Sequence, residues 1–182
     1  MGRKDIFTKG LILAAGLGTR LWPLTKSLPK PMIEIAGKPV LEHIADYLNK
    51  YGIYEIIVNL HYLPEKIMNY FGTRFVYSYE PQLLGEEGTI VSLNQWIEKD
   101  YCLVVNGDTL TNLDINEMFK MSNGRNVKFM DGETYAGTRI ITPFYLLGDK
   151  KSSSYQNKNY WWIDIGAPQE LKKARTLYEA IG

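Results

Sequence analysis

Three groups of residues in this chain have the types and spacing for chemistry. The first is the stretch Gly16-Leu17-Gly18-Thr19-Arg20-Leu21-Trp22-Pro23-Leu24-Thr25-Lys26-Ser27-Leu28-Pro29-Lys30-Pro31, which is long, glycine-led and basic. Glycines let backbone approach a ligand closely, successive N–H groups can form an anion-binding nest, and Arg20, Lys26 and Lys30 place positive charge beside it. A polyphosphate fits that description. The stretch is not the dinucleotide fingerprint, because Leu21 stands where the third glycine would be, and it is not a Walker loop, because no Gly-Lys-Ser/Thr closes it. The second group is Asp108 and Asp164, each at the end of an apolar run, where an aspartate serves either as a charged oxygen donor or as a cap or turn residue. The third is Glu80 with Gly85 and Gly88, a carboxylate that can only accept hydrogen bonds when ionised.

These residues need elements to hold them. Leu11 to Ala15 reads as a buried strand feeding the glycine-led loop, and Pro39 to Tyr51 shows helical spacing at Val40, Leu41, Ile44, Tyr47 and Leu48. Glu55 to Asn59 predicts a second strand, Pro64 to Tyr70 a helix with proline in its first turn, and Arg74 to Tyr79 a third strand. Glu87 to Trp96 follows as a helix and Tyr101 to Val105 as a fourth strand running into Asn106-Gly107-Asp108. Beyond Asp108 the pattern weakens. It predicts a short helix over Ile115 to Met121, a strand pair at Asn126 to Met130 and Tyr135 to Ile141 around Asp131-Gly132, and loop from Lys150 to Asn159. Trp161 to Ile165 closes as a strand and Pro168 to Ala180 as a helix. Strands alternating with helices predict an α/β fold, a mostly parallel open sheet with helices on both faces, whose ligands bind at the carboxyl ends of the strands.

Composition narrows the alternatives. At 182 residues the chain matches one domain at about 150 residues per domain, and a chain this long buries roughly 70% of its unfolded surface without staples. With 45% hydrophobic and 23% charged residues it reads as a folded domain. A net charge of +1 gives no bulk field for nucleic acid or an anionic membrane, so phosphate binding must be local. The lone Cys102 cannot form an internal disulfide, and with His43 and His61 it has no zinc-ligand spacing; a buried strand thiol in a reducing cytoplasm is expected. Met1 to Ile6 begins basic, but Gly10 to Ala15 is too short to span a membrane, no cleavage pattern follows, and Ile6 breaks the myristoylation pattern. A cytoplasmic protein is therefore expected.

The longer string Leu11 to Met32 resembles the signature of the sugar-1-phosphate nucleotidyltransferases, enzymes that join a nucleoside triphosphate to a sugar phosphate. The resemblance continues at Asn59-Leu60-His61-Tyr62-Leu63, at Glu80-Pro81-Gln82-Leu83-Leu84-Gly85 with Gly88, at Val105-Asn106-Gly107-Asp108, and at Trp162-Ile163-Asp164-Ile165-Gly166-Ala167-Pro168. These matches fall in family order over nearly the whole chain. They are similar in pattern to short bacterial members that activate heptose 1-phosphate or N-acetylmuramic acid 1-phosphate.

The resemblance implies one nucleotidyltransferase domain over residues 1–182, Rossmann-like, with a nucleotide-binding half at 1–108 and a shortened, β-rich sugar-phosphate half at 109–182. It implies attack of a sugar-phosphate oxygen on the α-phosphorus of the triphosphate and expulsion of pyrophosphate, a reaction governed by positioning and charge neutralisation. It assigns catalysis to Arg20, Lys30 and Asp108, and Mg²⁺ to Asp108 and Asp164, a cofactor that takes one or two carboxylates alongside phosphate oxygens and water. Nucleotide contacts fall to Leu13, Ala14, Ala15, Gly16, Gly18, Thr19, Arg20, Glu80, Gly85 and Gly88, and sugar-phosphate contacts to Asn106, Gly137 and Lys128. Guanine offers Glu80 two adjacent donors where uracil or thymine offers one, which points to GTP ahead of UTP or dTTP.

Some residues depart from the pattern. Tyr135-Ala136-Gly137 has tyrosine in place of the family's asparagine, the Glu-Lys-Pro lysine has no counterpart apart from Lys128, and Glu86-Glu87 puts two carboxylates in the glycine turn. Those carboxylates are expected either to bind ribose hydroxyls or to cap the following helix. Tyr155, Tyr160, Trp161 and Trp162 either shield a sugar ring, pack a partner subunit in a homo-oligomer, or fill the core. Two other functions fit the same residues: nucleotide or nucleotide-sugar binding without turnover, and transfer to a non-sugar phosphate such as phosphocholine.

Overall fold

The computed structural model describes residues 7–97, 100–143, 145, 152–156 and 160–181. The reading of Met1 to Ile6 lies outside them. In chain order the elements are β1 (Phe7–Leu13), β2 (Glu34–Ile35), β3 (Lys38–Pro39), α1 (Val40–Lys50), β4 (Glu55–Leu60), α2 (Pro64–Phe71), β5 (Val76–Tyr79), α3 (Gly85–Ser92) and α4 (Asn94–Ile97). They continue with β6 (Tyr101–Asn106), β7 (Thr109–Thr111), α5 (Ile115–Ser122), β8 (Asn126–Asp131), β9 (Thr134–Ile141), β10 (Ser152–Tyr155), β11 (Trp162–Asp164) and α6 (Pro168–Ile181).

Seven strands form one sheet in the order β10-β8-β9-β6-β1-β4-β5. The pairs β6–β1, β1–β4, β4–β5 and β10–β8 are parallel, while β9 runs antiparallel to both β6 and β8. The apolar runs of β1, β4 and β6 are continuous because both faces are covered. Alternate residues enter separate cores: Ile12, Val58, Leu103 and Val105 pack with α1, α2, α5 and α6, whereas Leu11, Ile57, Cys102 and Val104 pack with α3, α4 and Tyr145. Helices on both faces and a mostly parallel sheet are as expected. The sheet also runs without interruption across Asp108, the boundary that the sequence draws between two halves.

Several elements differ from expectation. β1 ends at Leu13, because the next amide, Ala14 N–H, donates 2.6 Å to the Asn59 side chain instead of to a neighbouring strand. The single helix expected over Glu87 to Trp96 is two, broken at Leu93. Within the polar stretch expected as loop, Ser152–Tyr155 is a strand, recruited by parallel pairing with β8 despite its three serines. The pair β2–β3 and the strand β7 have too few residues for periodicity to register, whereas β11 falls within the strand expected over Trp161 to Ile165. Tyr155 is buried, whereas Tyr160, Trp161 and Trp162 are half-buried, packing against the larger core and lining a cavity of about 720 Å³ with Asp131, Gly132 and Gln156. Cys102 is fully buried, which pushes its thiol up to about 12 and leaves it inert. None of the described helices is long and apolar enough to cross a membrane.

Candidate active site

The parallel strands β4, β1 and β6 stop in register, with Leu13 opposite both Asn59 and Asn106. Gly107 then donates its N–H to the Leu13 carbonyl at 2.8 Å, and a Cβ at Gly107 would lie only 2.7 Å from that oxygen. Only glycine fits, and its close approach sets Asp108 beside the start of the glycine-led loop. Asp164 arrives by a different route. It ends β11, pairs with Thr109 of β7, and the next residue's N–H donates 3.0 Å to the Asp108 carbonyl. Two carboxylates distant in sequence thus stand together.

Lys30 lies between them. A turn of 3-10 helix over Lys30–Met32, closed by Met32 N–H to the Pro29 carbonyl at 2.8 Å, buries the lysine stem at 7% exposure. Its ammonium donates to Asp108 Oδ2 and to Asp164 Oδ1, the latter at 3.4 Å. A buried cation demands such compensation. Arg20, exposed in the Thr19–Leu21 turn, approaches Asp164 Oδ2 at 4.0 Å, and a Cβ at Gly166 would meet its guanidinium carbon at 3.0 Å. One cation is held in place, and the other reaches into solvent where an anion can meet it.

A second network fixes the loop's first amide. Asn59 Oδ1 accepts from Ala14 N–H, and Asn59 Nδ2 donates 2.9 Å to Glu80 Oε1. Thr89 Oγ1 also donates to Glu80 Oε1 at 2.5 Å, and Leu84 N–H donates 3.2 Å to Oε2. Glu80 is 2% exposed. The carboxylate therefore does not face water; it ties the glycine turn and the Ala14 loop together. Glu80→Ala deprives these donors of their acceptor at once and is expected to cost about 2–4 kcal/mol, read as a lower urea midpoint at unchanged slope. An unshifted midpoint would show that the network carries no stability.

Residues 9–139 match the family described as Nucleotidyl transferase. The chain belongs to this family. The nucleotidyl transferase chain is 39% identical over 117 residues to D-glycero-alpha-D-manno-heptose 1-phosphate guanylyltransferase of Aneurinibacillus thermoaerophilus, covering 62% of this chain and 51% of that one. It is 35% identical over 130 residues to UTP--glucose-1-phosphate uridylyltransferase of Synechocystis sp., covering 62% of this chain and 34% of the relative. Aligned residues span about half the length of the guanylyltransferases it matches, 51% and 52%. Among solved structures, HddC from Yersinia pseudotuberculosis complexed with GMP-PN superposes with a TM-score of 0.80 at 25% identity, covering 94% of this chain and 100% of that chain.

In the nucleotidyl transferase the other expected contact residues of the loop and glycine turn fall around the same strand ends, whereas Lys128 lies within β8, opposite Arg139 of β9 and two strands away from β6. Ala15 is buried, Gly16 and Thr19 are exposed, and the Gly18 carbonyl accepts from Thr25 Oγ1 at 2.7 Å. Gly85 opens α3 and Gly88 sits within it. Asn106 Nδ2 would lie 3.1 Å from a Cβ at Gly137, so those two sugar-side candidates adjoin. Lys128 is placed over the Tyr135 ring, 5.6 Å from its centroid, and Lys26 over Trp22 at 5.3 Å. Sequence reasoning passed over Arg139, which is 1% exposed and donates from Nη1 to Glu87 Oε1 at 2.9 Å, with Nε 2.8 Å from Glu86 Oε1. Burial opposes its charge, and Glu86 and Glu87 more than offset this, so it titrates above the ordinary range. A charged residue immediately before Ile140-Ile141 was the available signal. Asn59, polar within Ile56 to Leu60, gave the same kind of signal.

Proposed function

We infer that this chain transfers a nucleoside monophosphate from a triphosphate to a sugar 1-phosphate, releasing pyrophosphate. The observation that carries this reading is the Lys30 ammonium held between Asp108 and Asp164, with Arg20 beside them. Attack on a phosphorus already bearing negative oxygens needs cations fixed before reaction, since charge stabilisation that requires no reorganisation lowers the barrier most. Lys30 meets the α-phosphate, and Arg20 meets the outer phosphates.

Among the described residues no group of three or more His, Cys, Asp or Glu gathers as metal ligands. Two carboxylates are nevertheless the donor set that suits Mg²⁺, which keeps water and substrate oxygens for its remaining positions. Asp108 and Asp164 would hold it, and when bound it neutralises phosphate charge. Ala14 to Thr19 receives the nucleotide, residues 109–182 receive the acceptor with Asn106, Gly137 and Lys128 nearby, and the protein works in the cytoplasm.

GTP is the preferred nucleotide. This rests on the heptose 1-phosphate guanylyltransferase relatives; Glu80, buried with both oxygens engaged by Asn59, Thr89 and Leu84, does not supply the guanine-reading acceptor that its type suggested. Incubation with Mg²⁺, each common triphosphate and glucose, mannose or heptose 1-phosphate should release pyrophosphate, fastest with GTP. A preference for UTP or dTTP would overturn the guanine assignment alone. Triphosphate binding without release for any sugar phosphate would overturn transfer to a sugar, and release with phosphocholine would reassign the acceptor.

A further inference from the structure

The cavity of about 720 Å³ lined by Asp131, Tyr160, Trp161 and Trp162 has the size of a small-molecule site, and none of the contacts assigned above uses it. It adjoins the reaction centre. Trp162 precedes Asp164 by two positions in β11, so both side chains leave the same face of that strand, about 7 Å apart. Trp162 also lines a second cavity, of about 360 Å³, together with Arg20, Asp164 and Lys173. A molecule whose phosphate lies at Asp164 therefore has its far end within reach of the Trp162 indole and the larger cavity behind it.

The rings are fixed in place. Tyr160 packs edge-on against Phe129, with centroids 4.3 Å apart, and Trp161 edge-on against Tyr178 at 6.1 Å. The side-chain donors are engaged as well: the Trp162 indole N–H donates 3.0 Å to Asp131 Oδ2, the Tyr160 hydroxyl bonds the same carboxylate, and Gln156 Nε2 donates 3.0 Å to the Gly132 carbonyl. What faces the cavity is aromatic surface, the Met130 side chain and the remaining lone pairs of a carboxylate. A polyol ring needs donors as well as acceptors and is poorly served here. Hydrogen bonds from neutral groups orient Asp131 without cancelling its charge, and the described residues lining the cavity include no lysine, arginine or histidine. A cation set between the carboxylate and the ring faces is attracted by both.

We propose that this cavity receives the far end of the acceptor and selects one bearing a positively charged nitrogen, held by Asp131 and the Trp162 and Tyr160 rings, which makes Asp131 and Trp162 specificity-determining residues. This rests on the reading of Lys30, Asp108 and Asp164 as a centre for nucleotidyl transfer to a phosphate. The charged nitrogen belongs either to an amino sugar 1-phosphate or to an amino-alcohol phosphate such as phosphocholine.

The test compares acceptors that differ in charge. With the triphosphate that best supports pyrophosphate release, glucose 1-phosphate is set against each of its single amino-deoxy forms, and phosphocholine against neohexyl phosphate, in which carbon replaces the quaternary nitrogen. Wild type, Asp131→Asn and Trp162→Leu are measured with each. In one of the two series wild type should favour a charged acceptor by about tenfold or more in kcat/KM, and Asp131→Asn should narrow that preference to about threefold or less without changing the uncharged acceptor's value by more than about threefold. Trp162→Leu should narrow it likewise. A loss common to all acceptors in Trp162→Leu would report displacement of the neighbouring Asp164, and Asp131→Asn, at the exposed end of β8, then decides alone. A preference in the first series identifies an amino sugar; one in the second identifies an amino alcohol, in which case the sugar reading fails and the cavity assignment stands. Charged and uncharged acceptors used equally in both series, or a preference that Asp131→Asn leaves intact, would overturn the proposal while leaving the transfer reading in place. No release by wild type with any acceptor would overturn the transfer reading, and the proposal with it.

Discussion

Asp108→Asn is expected to lower pyrophosphate release by about 10²–10³ while leaving the fold intact, the size of loss seen when one preorganised electrostatic group is removed at a reacting centre. Asparagine keeps the shape and one oxygen of the side chain but removes the charge that faces Lys30 and would hold Mg²⁺. Asp164 alone would then compensate the lysine from 3.4 Å, which is enough to keep it buried. The substitution therefore separates charge from packing. The measurement is turnover across a Mg²⁺ titration, with thermal unfolding as control: the variant should need more Mg²⁺ and still fall short at saturation. Asp164→Asn should behave alike, since its carboxylate closes the same pair from β11. Full activity in both variants would remove the carboxylates from the mechanism.

Lys30→Met should lower kcat by a similar factor of about 10²–10³ and weaken triphosphate binding by less than about tenfold. Methionine fills most of the buried stem's volume, so the loss reports on the ammonium. Charge on the attacked phosphorus grows toward the transition state, and a fixed cation gains interaction there that it lacks in the ground state. Arg20 is the contrast: exposed and only 4.0 Å from one carboxylate oxygen, it should act mainly on affinity. Equal losses of affinity and turnover at Lys30 would make it a ground-state phosphate anchor. Unchanged values would leave it a structural counter-ion for Asp108 and Asp164.

How much of this was legible in the sequence follows from where each signal is encoded. Local chemistry is written along the chain. The apolar runs of β1, β4 and β6, the helical spacing of α1 and the glycine-led basic loop depend on residues a few positions apart, so an α/β fold with its ligands at strand ends could be derived before any contact was known. The motif residues Arg20, Lys30, Asp108 and Asp164 were likewise visible by type. Their meeting was not, because Asp164 reaches Asp108 only through the pairing of β11 with β7, a three-residue strand too short for periodicity. The same holds for Ser152–Tyr155, whose serines carry no strand signal and which is ordered by the edge of β8. Glu80 shows the limit most clearly. Its type indicates only a hydrogen-bond acceptor, and whether that acceptor faces water, a base or the protein interior depends on Asn59, Thr89 and Leu84, brought to it by separate elements. Arg139 is the extreme case: buried, it is a costly charge alone, and only the tertiary structure, by setting the partly exposed Glu86 and the exposed Glu87 against it, compensates that charge.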